Sequence, residues 1–354
     1  MLPEDVIELA KADFFNYKGT GVPVMELNRG NPYYSEIMDG AEAALRELMN
    51  IPQNYKVMFV EGGADFQHAA IPLNLLSEHK CADYIVSGQY SKLASLEAKK
   101  YGDIAIAASS AGAIPAFSTV PETKRSDFRP DADYVYICFN NTMHGTKYHY
   151  IPDTGNIPLV ADMSSVMLSE PIDVSKFAMI YASAESSIGV PGLTVVIIRD
   201  DLIGGARKDT PTTINYKSII SGGSLASVAP VSSVYMAKLV FDYILSLGGL
   251  EEMKRRNERK ASLIYDYLDS QSYYTVPVDK KCRSMVNVVF VTGDAALDRR
   301  FREGASADGL ENLDGHSSVG GMCASLYNSM PPEGVEKLVS YMKKFAQENP
   351  KLDG

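Results

Sequence analysis

Polar residues collect where apolar runs of the sequence end, and these are the positions at which chemistry is expected. Gly62-Gly63, Gly88-Gln89-Tyr90, Asn140-Asn141-Thr142 and Asp162-Met163-Ser164-Ser165 each follow such a run. In open α/β sheets ligands lie beyond the carboxyl ends of the strands, so we expect these segments to border one site. A glycine turn that opens a helix presents backbone amides to an anion, although the same turn is as often an ordinary strand-to-helix connection.

The apolar runs predict the elements that position these residues. From Tyr55 to about Asp200, β-rich runs such as "YKVMFVEGG", "DYIVSG" and "LTVVIIRDD" alternate with helical patterns such as "ADFQHAAIPLNLL". Continuous apolar runs, rather than alternating ones, are typical of strands that are covered on both faces. The sequence therefore predicts an α/β fold with a large, doubly wound, mostly parallel sheet.

The last hundred residues predict a smaller α+β domain. Short strands are expected at "YYTVP", "MVNVVFV" and "MCASLYN", with a helix near 297–309 and a closing helix after Pro332. A chain of 354 residues exceeds the size at which one core keeps growing. We expect a large domain over 12–254 and a small domain over 255–354, with 1–11 packed on the small domain.

Composition excludes several classes of function. The formal net charge of −10 and the absence of a basic stripe argue against nucleic-acid binding. No stretch reaches the ~18 apolar residues of a membrane span, and the start "MLPEDVIELAKADF" has no basic segment leading into an apolar core. The four cysteines lie far apart, without a CxxC motif or the spacing of a zinc site. We therefore expect reduced thiols, no metal site, no membrane partner and a cytoplasmic location.

Four segments carry a resemblance to a known family. They are "QNYKVMFVEGGADFQHAAIPLNLL", "ADMSSVMLSEPIDVSKFAMIYASA", "GVPGLTVVIIRDDLIG" and "VGGMCASLYNSMPPEGV". In order and spacing they resemble the phosphoserine aminotransferases, which are class-V, fold-type I enzymes of serine biosynthesis that use pyridoxal phosphate. The resemblance covers nearly the whole chain and implies a homodimer whose active site is shared between the subunits.

The resemblance implies a lysine that bonds covalently to the cofactor, and its position falls on Ser186 in "ASAESSIG". A serine hydroxyl cannot form an imine and is a poor proton carrier near neutral pH. Lys92 and Lys176 are the candidates for a substitute, and we expect neither to serve. Covalent binding of pyridoxal phosphate is therefore predicted to be absent, and non-covalent binding to be weak or absent.

The resemblance also assigns the cofactor contacts, which are Gly63, Ala64, Asp65, Tyr90, Thr142, Asp162, Glu185, Ser227 and Val228. Glu185 stands where the family has glutamine beside the cofactor phosphate, and Asp65 also opposes a bound anion. Tyr90 stands where the family stacks a tryptophan, and tyrosine can still stack. Thr142 and Asp162 match the family, in which the aspartate pairs with the ring nitrogen, although such strand-end residues are as often loop caps.

The substrate positions are altered more severely. By resemblance, the arginine that binds the substrate carboxylate is replaced by Cys323, in "GGMCAS". Two His-Arg pairs for the substrate phosphate become Asn28-Arg29 and His316-Ser317, the second contributed across the dimer. Glu170 occupies a position that is usually arginine. A thiol cannot replace the charge-assisted bonds of a guanidinium.

The family segments that build the fold are retained, whereas the positions that would bind cofactor and substrate are changed. This pattern favours a protein that keeps the fold of the family and has lost its original chemistry. We predict a dimeric phosphoserine aminotransferase homologue that is inactive as a transaminase, acting as a scaffold or regulatory protein, in homodimers or paired with an active homologue. One alternative is a working aminotransferase with an atypical site. Another is a protein that binds a small phosphorylated metabolite through the remaining cleft.

Overall fold

The computed structural model describes residues 2–221, 230–316 and 319–351, and its centre is a seven-stranded sheet. The strands are β1 (Tyr55–Glu61), β2 (Cys81–Val86), β3 (Asp103–Ser109), β4 (Tyr134–Cys138), β5 (Asn140–Asn141), β6 (Thr146–Lys147), β7 (Leu159–Asp162), β8 (Met179–Ser183), β9 (Leu193–Arg199), β10 (Asn287–Phe290) and β11 (Met322–Ser325). The large sheet has the order β1-β9-β8-β7-β4-β2-β3. Within it, β9 runs in the opposite direction to the other six strands, which confirms the mostly parallel α/β prediction.

Helices cover both faces of this sheet. The helices of the described residues are α1 (Glu4–Phe14), α2 (Pro32–Met49), α3 (Ala64–Leu75), α4 (Gln89–Ala98), α5 (Tyr216–Ser221), α6 (Val231–Ser246), α7 (Gly249–Asp269), α8 (Ala295–Ala307) and α9 (Pro332–Glu348). Local sequence sets their ends. Helix α2 begins at Pro32 because the Asn31 side chain accepts a hydrogen bond from the Tyr33 amide at 2.9 Å. The Asp294 side chain caps α8 in the same way.

Two separate cores lie on the two faces of the sheet. Val195 and Ile197 of β9 enter the core that also contains α2 and α6, whereas Val196 and Ile198 enter the core that contains α3 and α4. Successive side chains of a strand point to opposite faces, so a strand between two cores must be apolar at every position. This is the physical reason for the continuous apolar runs in the sequence.

The small domain has its own core around the antiparallel pair β10–β11 and the helices α8 and α9. The strand expected at "YYTVP" does not form, and only Thr275 bridges to Val291. Helix α7 joins the two domains, with Met253 in the core of the large domain and Ile264 in the small one. The boundary expected after residue 254 therefore falls inside this helix.

Helix α1 lies near both domains, since its first turn borders a cavity that Lys260, Asn328 and Pro332 also line. Its buried residues Val6 and Ala10 belong to the core shared with α2 and α6. Just beyond them on the same helix, the Asp13 carboxylate accepts a hydrogen bond from the Tyr235 hydroxyl at 2.9 Å. The buried face of this helix is thus attached to the large domain.

A buried polar network ties the two domains together near the ends of β4 and β10. The Asn140 side-chain amide donates to Ser165 Oγ at 2.7 Å and to Asn287 Oδ1 at 2.8 Å, and its oxygen accepts from Ser284 Oγ at 2.6 Å. All four residues are buried. Buried networks of this kind fix relative orientation when every group is satisfied.

Within the described ranges, no single helix is long and apolar enough to cross a membrane. Helices α6 and α7 have the length and composition of a membrane span only when they are taken together, and they are bent by 85° at their junction.

Candidate functional site

The glycine turn between β1 and α3 forms one wall of the site. Gly62 has a φ of 102°, a conformation that favours glycine, and its amide donates to the Gly192 carbonyl at 3.1 Å. Gly63 is the N-cap of α3, whose first amides have no acceptor within the helix. A methyl group at Gly63 would lie 4.0 Å from Ser183 Oγ, so the turn faces the end of β8.

Glu185 is linked to this turn through Ser183. The Ser183 hydroxyl that faces Gly63 donates a hydrogen bond to the Glu185 carboxylate. Ser186 follows on the same tight turn, where it is half-exposed. The turn is closed by the Gly189 amide, which donates to the Ala184 carbonyl at 2.8 Å. The Glu185 carboxylate and the Ser183 hydroxyl therefore lie close to the glycine turn.

Asp162 forms the floor of the site at the end of β7 and is almost fully buried. Its Oδ1 accepts from the Ser164 amide at 2.9 Å and from the Ser164 hydroxyl at 2.6 Å, and its Oδ2 accepts from the Tyr181 hydroxyl at 3.1 Å. Burial raises the pKa of Asp162, while the hydrogen bonds of Ser164, the field of His68 and the bond from Tyr181 lower it in part.

Four buried tyrosines on strands β2, β4 and β8 form a row that begins at Asp162. The Tyr136 and Tyr181 hydroxyls are 2.8 Å apart, as are those of Tyr84 and Tyr134, and the rings of Tyr84 and Tyr136 stack at 4.7 Å. Because Tyr181 donates to Asp162, the Tyr136 hydroxyl must donate to Tyr181. Burial raises the pKa of all four phenols.

Tyr90 follows the end of β2. It occupies the first turn of α4, which begins after Gly88. A side chain at Gly88 would meet Asn141 Oδ1 at 2.3 Å, so glycine is required for this close approach. Burial raises the pKa of Tyr90, and so do the fields of Cys138, Asp65, Tyr327 and Asp162.

Cys323 and Thr142 meet where the small domain touches the large one. The Cys323 thiol lies 3.9 Å from the Thr142 carbonyl oxygen. Burial raises the pKa of Cys323 to about 11, so this residue is a protonated thiol at neutral pH rather than a nucleophile. All four cysteines of the chain are free, and the described residues contain no cluster of His, Cys, Asp or Glu that could hold a metal ion.

The other predicted substrate residues that the structure describes, Asn28, Arg29 and His316, lie outside helices and strands. Asn28 is exposed and accepts a hydrogen bond from the Gly30 amide at 3.0 Å within its own loop, and Arg29 beside it is half-buried. His316 is exposed, and its field acts on His144. Ser227, Val228 and Ser317 lie outside the described residues.

Two buried groups were missed from the sequence. His68 of α3 lies within electrostatic reach of Asp162. Lys147 forms a buried ion pair with Glu170, which gives a structural reason for an acid at that position. A polar residue inside an apolar helix pattern was the available signal for His68. Lys147 and Glu170 are far apart in the sequence, so their pairing could not be predicted from it.

Comparison with known proteins identifies the family of this chain. Residues 1–338 match the model of the family described as aminotransferase class-V. The chain belongs to the class-V aminotransferases. Curated relatives narrow this further: phosphoserine aminotransferase of Bacillus cereus is 45% identical over 99% of this chain and 96% of its own length. The enzyme of that name from Pseudomonas aeruginosa is 44% identical, covering 98% of this chain and 96% of its own. Within the class, the chain is a member of the phosphoserine aminotransferase family.

Solved structures support the same assignment. The phosphoserine aminotransferase of Bacillus circulans subsp. alkalophilus has a TM-score of 0.94 at 38% identity, covering 98% of this chain and 96% of its own. The enzyme from Trichomonas vaginalis, solved with PLP bound, has a TM-score of 0.89 at 33% identity, with 97% of each chain covered. These findings confirm the predicted family and fold. The family uses pyridoxal phosphate.

Proposed function

We propose that this chain is a phosphoserine aminotransferase homologue that does not carry out transamination and acts as a scaffold or regulatory protein. The observation that carries the proposal is Ser186, which stands where the resemblance places the cofactor lysine, on the tight turn next to Glu185. Its hydroxyl offers no nitrogen for a covalent bond to the cofactor aldehyde.

The positions of the lysines support this proposal. Every lysine of the chain lies in the described ranges, and only Lys147 and Lys260 are buried. Lys147 is held by Glu170. The Lys260 ammonium donates to the carbonyls of Leu326 and Tyr327 at 3.1 and 2.7 Å. Lys92 and Lys176, the candidate substitutes, have exposed side chains.

The residues fit pyridoxal phosphate only in part. The amides of the glycine turn, the ring of Tyr90 and the carboxylate of Asp162 suit a phosphate, a flat ring and a ring nitrogen. Glu185 opposes the phosphate, because two unit charges at about 5 Å and an effective dielectric of about 20 repel by roughly 3 kcal/mol. The site therefore does not fit a covalently held cofactor, and a free one is expected to bind weakly or not at all.

The decisive experiment is incubation with pyridoxal phosphate, desalting, absorption spectroscopy and borohydride reduction followed by peptide mass spectrometry. We expect no pyridoxyl label on the wild-type chain. Ser186→Lys is the matched positive control and should acquire a label at residue 186, whereas Ser186→Met should not. A labelled lysine in the wild-type protein would overturn the proposal, and so would glutamate-dependent turnover of phosphohydroxypyruvate, which would favour an enzyme with an atypical site.

We further propose a dimer, either of two identical chains or with an active homologue. The family resemblance supports this, since its active site draws residues such as His316 from the second subunit. Sedimentation of the purified chain tests the homodimer. Co-expression with a differently tagged active phosphoserine aminotransferase, followed by two-step purification, tests the mixed dimer. A monomer in both experiments would contradict the proposal.

One observation favours a second candidate function, the binding of a small phosphorylated ligand. The His144 ring lies 4.9 Å from the Phe117 ring at a tilt of 54°, and its buried Nε2 has no hydrogen-bond partner. Burial, together with a smaller effect from the field of His316, lowers the pKa of His144 to about 4. A neutral imidazole can donate one bond to an anion. Phosphoserine and inorganic phosphate should then raise the melting temperature of the wild type but not of His144→Phe.

A further inference from the structure

A large cavity lies where the first turn of α1 meets α7 and the loop that leads into α9. Its volume is about 810 Å³, and small-molecule sites usually occupy about 300–1,000 Å³. Helix α1 packs in the core of the large domain and α9 in that of the small domain, so both domains contribute walls. No described residue among those predicted to contact cofactor or substrate lines this cavity. It is therefore separate from the site at the strand ends.

One wall of the cavity is cationic, although the chain as a whole carries a formal net charge of −10. Arg255, Arg256, Arg259 and Lys260 of α7 line this wall. The guanidinium groups of Arg255 and Arg256 are paired with Glu252 at 2.7 and 2.8 Å. Arg259 is exposed and has no ion pair within the described ranges. Its guanidinium is therefore available to an anion.

The buried ammonium of Lys260 adds a second donor to this wall. It donates hydrogen bonds to the carbonyls of Leu326 and Tyr327, and no described residue accepts its third N–H. Residues three and four apart share one face of a helix, so Arg256 lies on the same face as Arg259 and Lys260. Guanidinium and ammonium groups placed together in this way are typical of phosphate binding.

The other walls of the cavity carry carboxylates and apolar rings. Glu4 and Asp5 line it from the first turn of α1, and neither forms an ion pair with a described residue. Carboxylates at nucleotide sites accept hydrogen bonds from sugar hydroxyls. The ring of Tyr243 and the side chains of Pro331 and Pro332 also line the cavity. They offer a surface against which a flat aromatic ring can pack.

A narrow crevice adjoins the cavity and reaches the turn that carries Ser186. The two spaces share the lining residues Leu2, Pro3, Tyr243, Asn328 and Ser329. Ser187 lines the crevice, and its buried hydroxyl has no hydrogen-bond partner among the described residues. The cavity therefore adjoins the turn on which the family has its lysine.

We propose that this cavity binds a mononucleotide, with the phosphate at Arg259 and Lys260 and the base against Tyr243. The bound nucleotide bridges α1, α7 and the start of α9, and it lies next to the crevice that Ser187 lines. This inference goes beyond the proposed function and does not depend on it, because the cavity contains no described residue of the predicted cofactor site.

The test is isothermal titration calorimetry of the full-length protein with adenosine 5′-monophosphate (AMP) at low ionic strength, where exposed charges are least screened. We expect AMP to bind the wild type and to bind Arg259→Ala about tenfold more weakly, because a charge-assisted hydrogen bond is lost. Lys254→Ala is the matched control, since it removes a cation of α7 that does not line the cavity. It should bind AMP as the wild type does. Absence of AMP binding, or equal weakening in both variants, would overturn the proposal.

Fragments of the nucleotide test its two halves. Adenosine lacks the phosphate and ribose 5-phosphate lacks the base, so each should bind at least about tenfold more weakly than AMP. Equal binding of ribose 5-phosphate and AMP would show that the base makes no contact and would contradict a nucleotide site. His144→Phe should bind AMP as the wild type does, because His144 does not line this cavity; loss of binding there would also overturn the proposal. None of these measurements involves pyridoxal phosphate or turnover, so their failure is distinct from a failure of the borohydride experiment.

Discussion

The ion pair between Lys147 and Glu170 allows a quantitative test of how this chain tolerates a change at a ligand position. The side chains are 5% and 13% exposed, and the Lys147 ammonium also lies 5.8 Å from the centre of the Phe139 ring. Removing one partner of a buried pair leaves an uncompensated charge and costs about 3–5 kcal/mol. We therefore expect Glu170→Gln to lower the free energy of unfolding by about that amount.

The assay is equilibrium urea unfolding of four proteins at one concentration: the wild type, Glu170→Gln, Glu170→Arg and the double variant Lys147→Glu/Glu170→Arg. Glu170→Arg, which introduces the residue usual in the family, should be the least stable because it places two cations together. The double variant restores opposite charges and should recover much of the loss. A cost below about 1 kcal/mol for Glu170→Gln, the value of an exposed pair, would refute this reasoning.

Two further predictions follow from buried ionisable groups. Because the pKa of Cys323 is raised to about 11, iodoacetamide at about pH 8 should alkylate it more than a hundredfold more slowly than an ordinary thiol of pKa about 8.5. Peptide mass spectrometry measures this rate, and rapid labelling would contradict the buried position. Burial also lowers the pKa of Lys260 to about 8, so the unfolded chain binds more protons between about pH 8 and 10.5. The wild type should gain roughly 3 kcal/mol over Lys260→Met across this window, and parallel pH profiles in urea unfolding would argue against it.

The sequence predicted the strands better than the loops between them. Strands such as β7 and β9 are buried on both faces, so apolar composition alone identifies them. The segment "YYTVP" has the composition of a strand but does not become one. There the Tyr274 amide donates to the Gln271 side chain, and the Tyr274 hydroxyl donates to the Met342 carbonyl. Side-chain hydrogen bonds of this kind compete with strand pairing and are invisible to periodicity.

The site was predictable where it follows strand ends and unpredictable where it depends on partners distant in sequence. The arrangement of Gly63, Tyr90 and Asp162 follows from the rule that ligands lie at carboxyl ends of strands. His68 could not be found in this way, because α3 is buried along most of its length and gives no amphipathic pattern. Its proximity to Asp162, far along the chain, arises only from the packing of α3 over the sheet.

The row of buried tyrosines next to Asp162 provides an optical signal that reports whether the protein is folded. The chain contains no tryptophan, so tyrosine dominates its near-ultraviolet absorption. In an alkaline spectrophotometric titration the exposed phenols ionise first. Tyr84, Tyr134, Tyr136 and Tyr181 should remain un-ionised until the sheet opens, because burial holds their pKa values above the ordinary range. An increase in tyrosinate absorbance that occurs only at the highest pH would therefore report unfolding of the sheet next to the ligand cleft, without any attached dye.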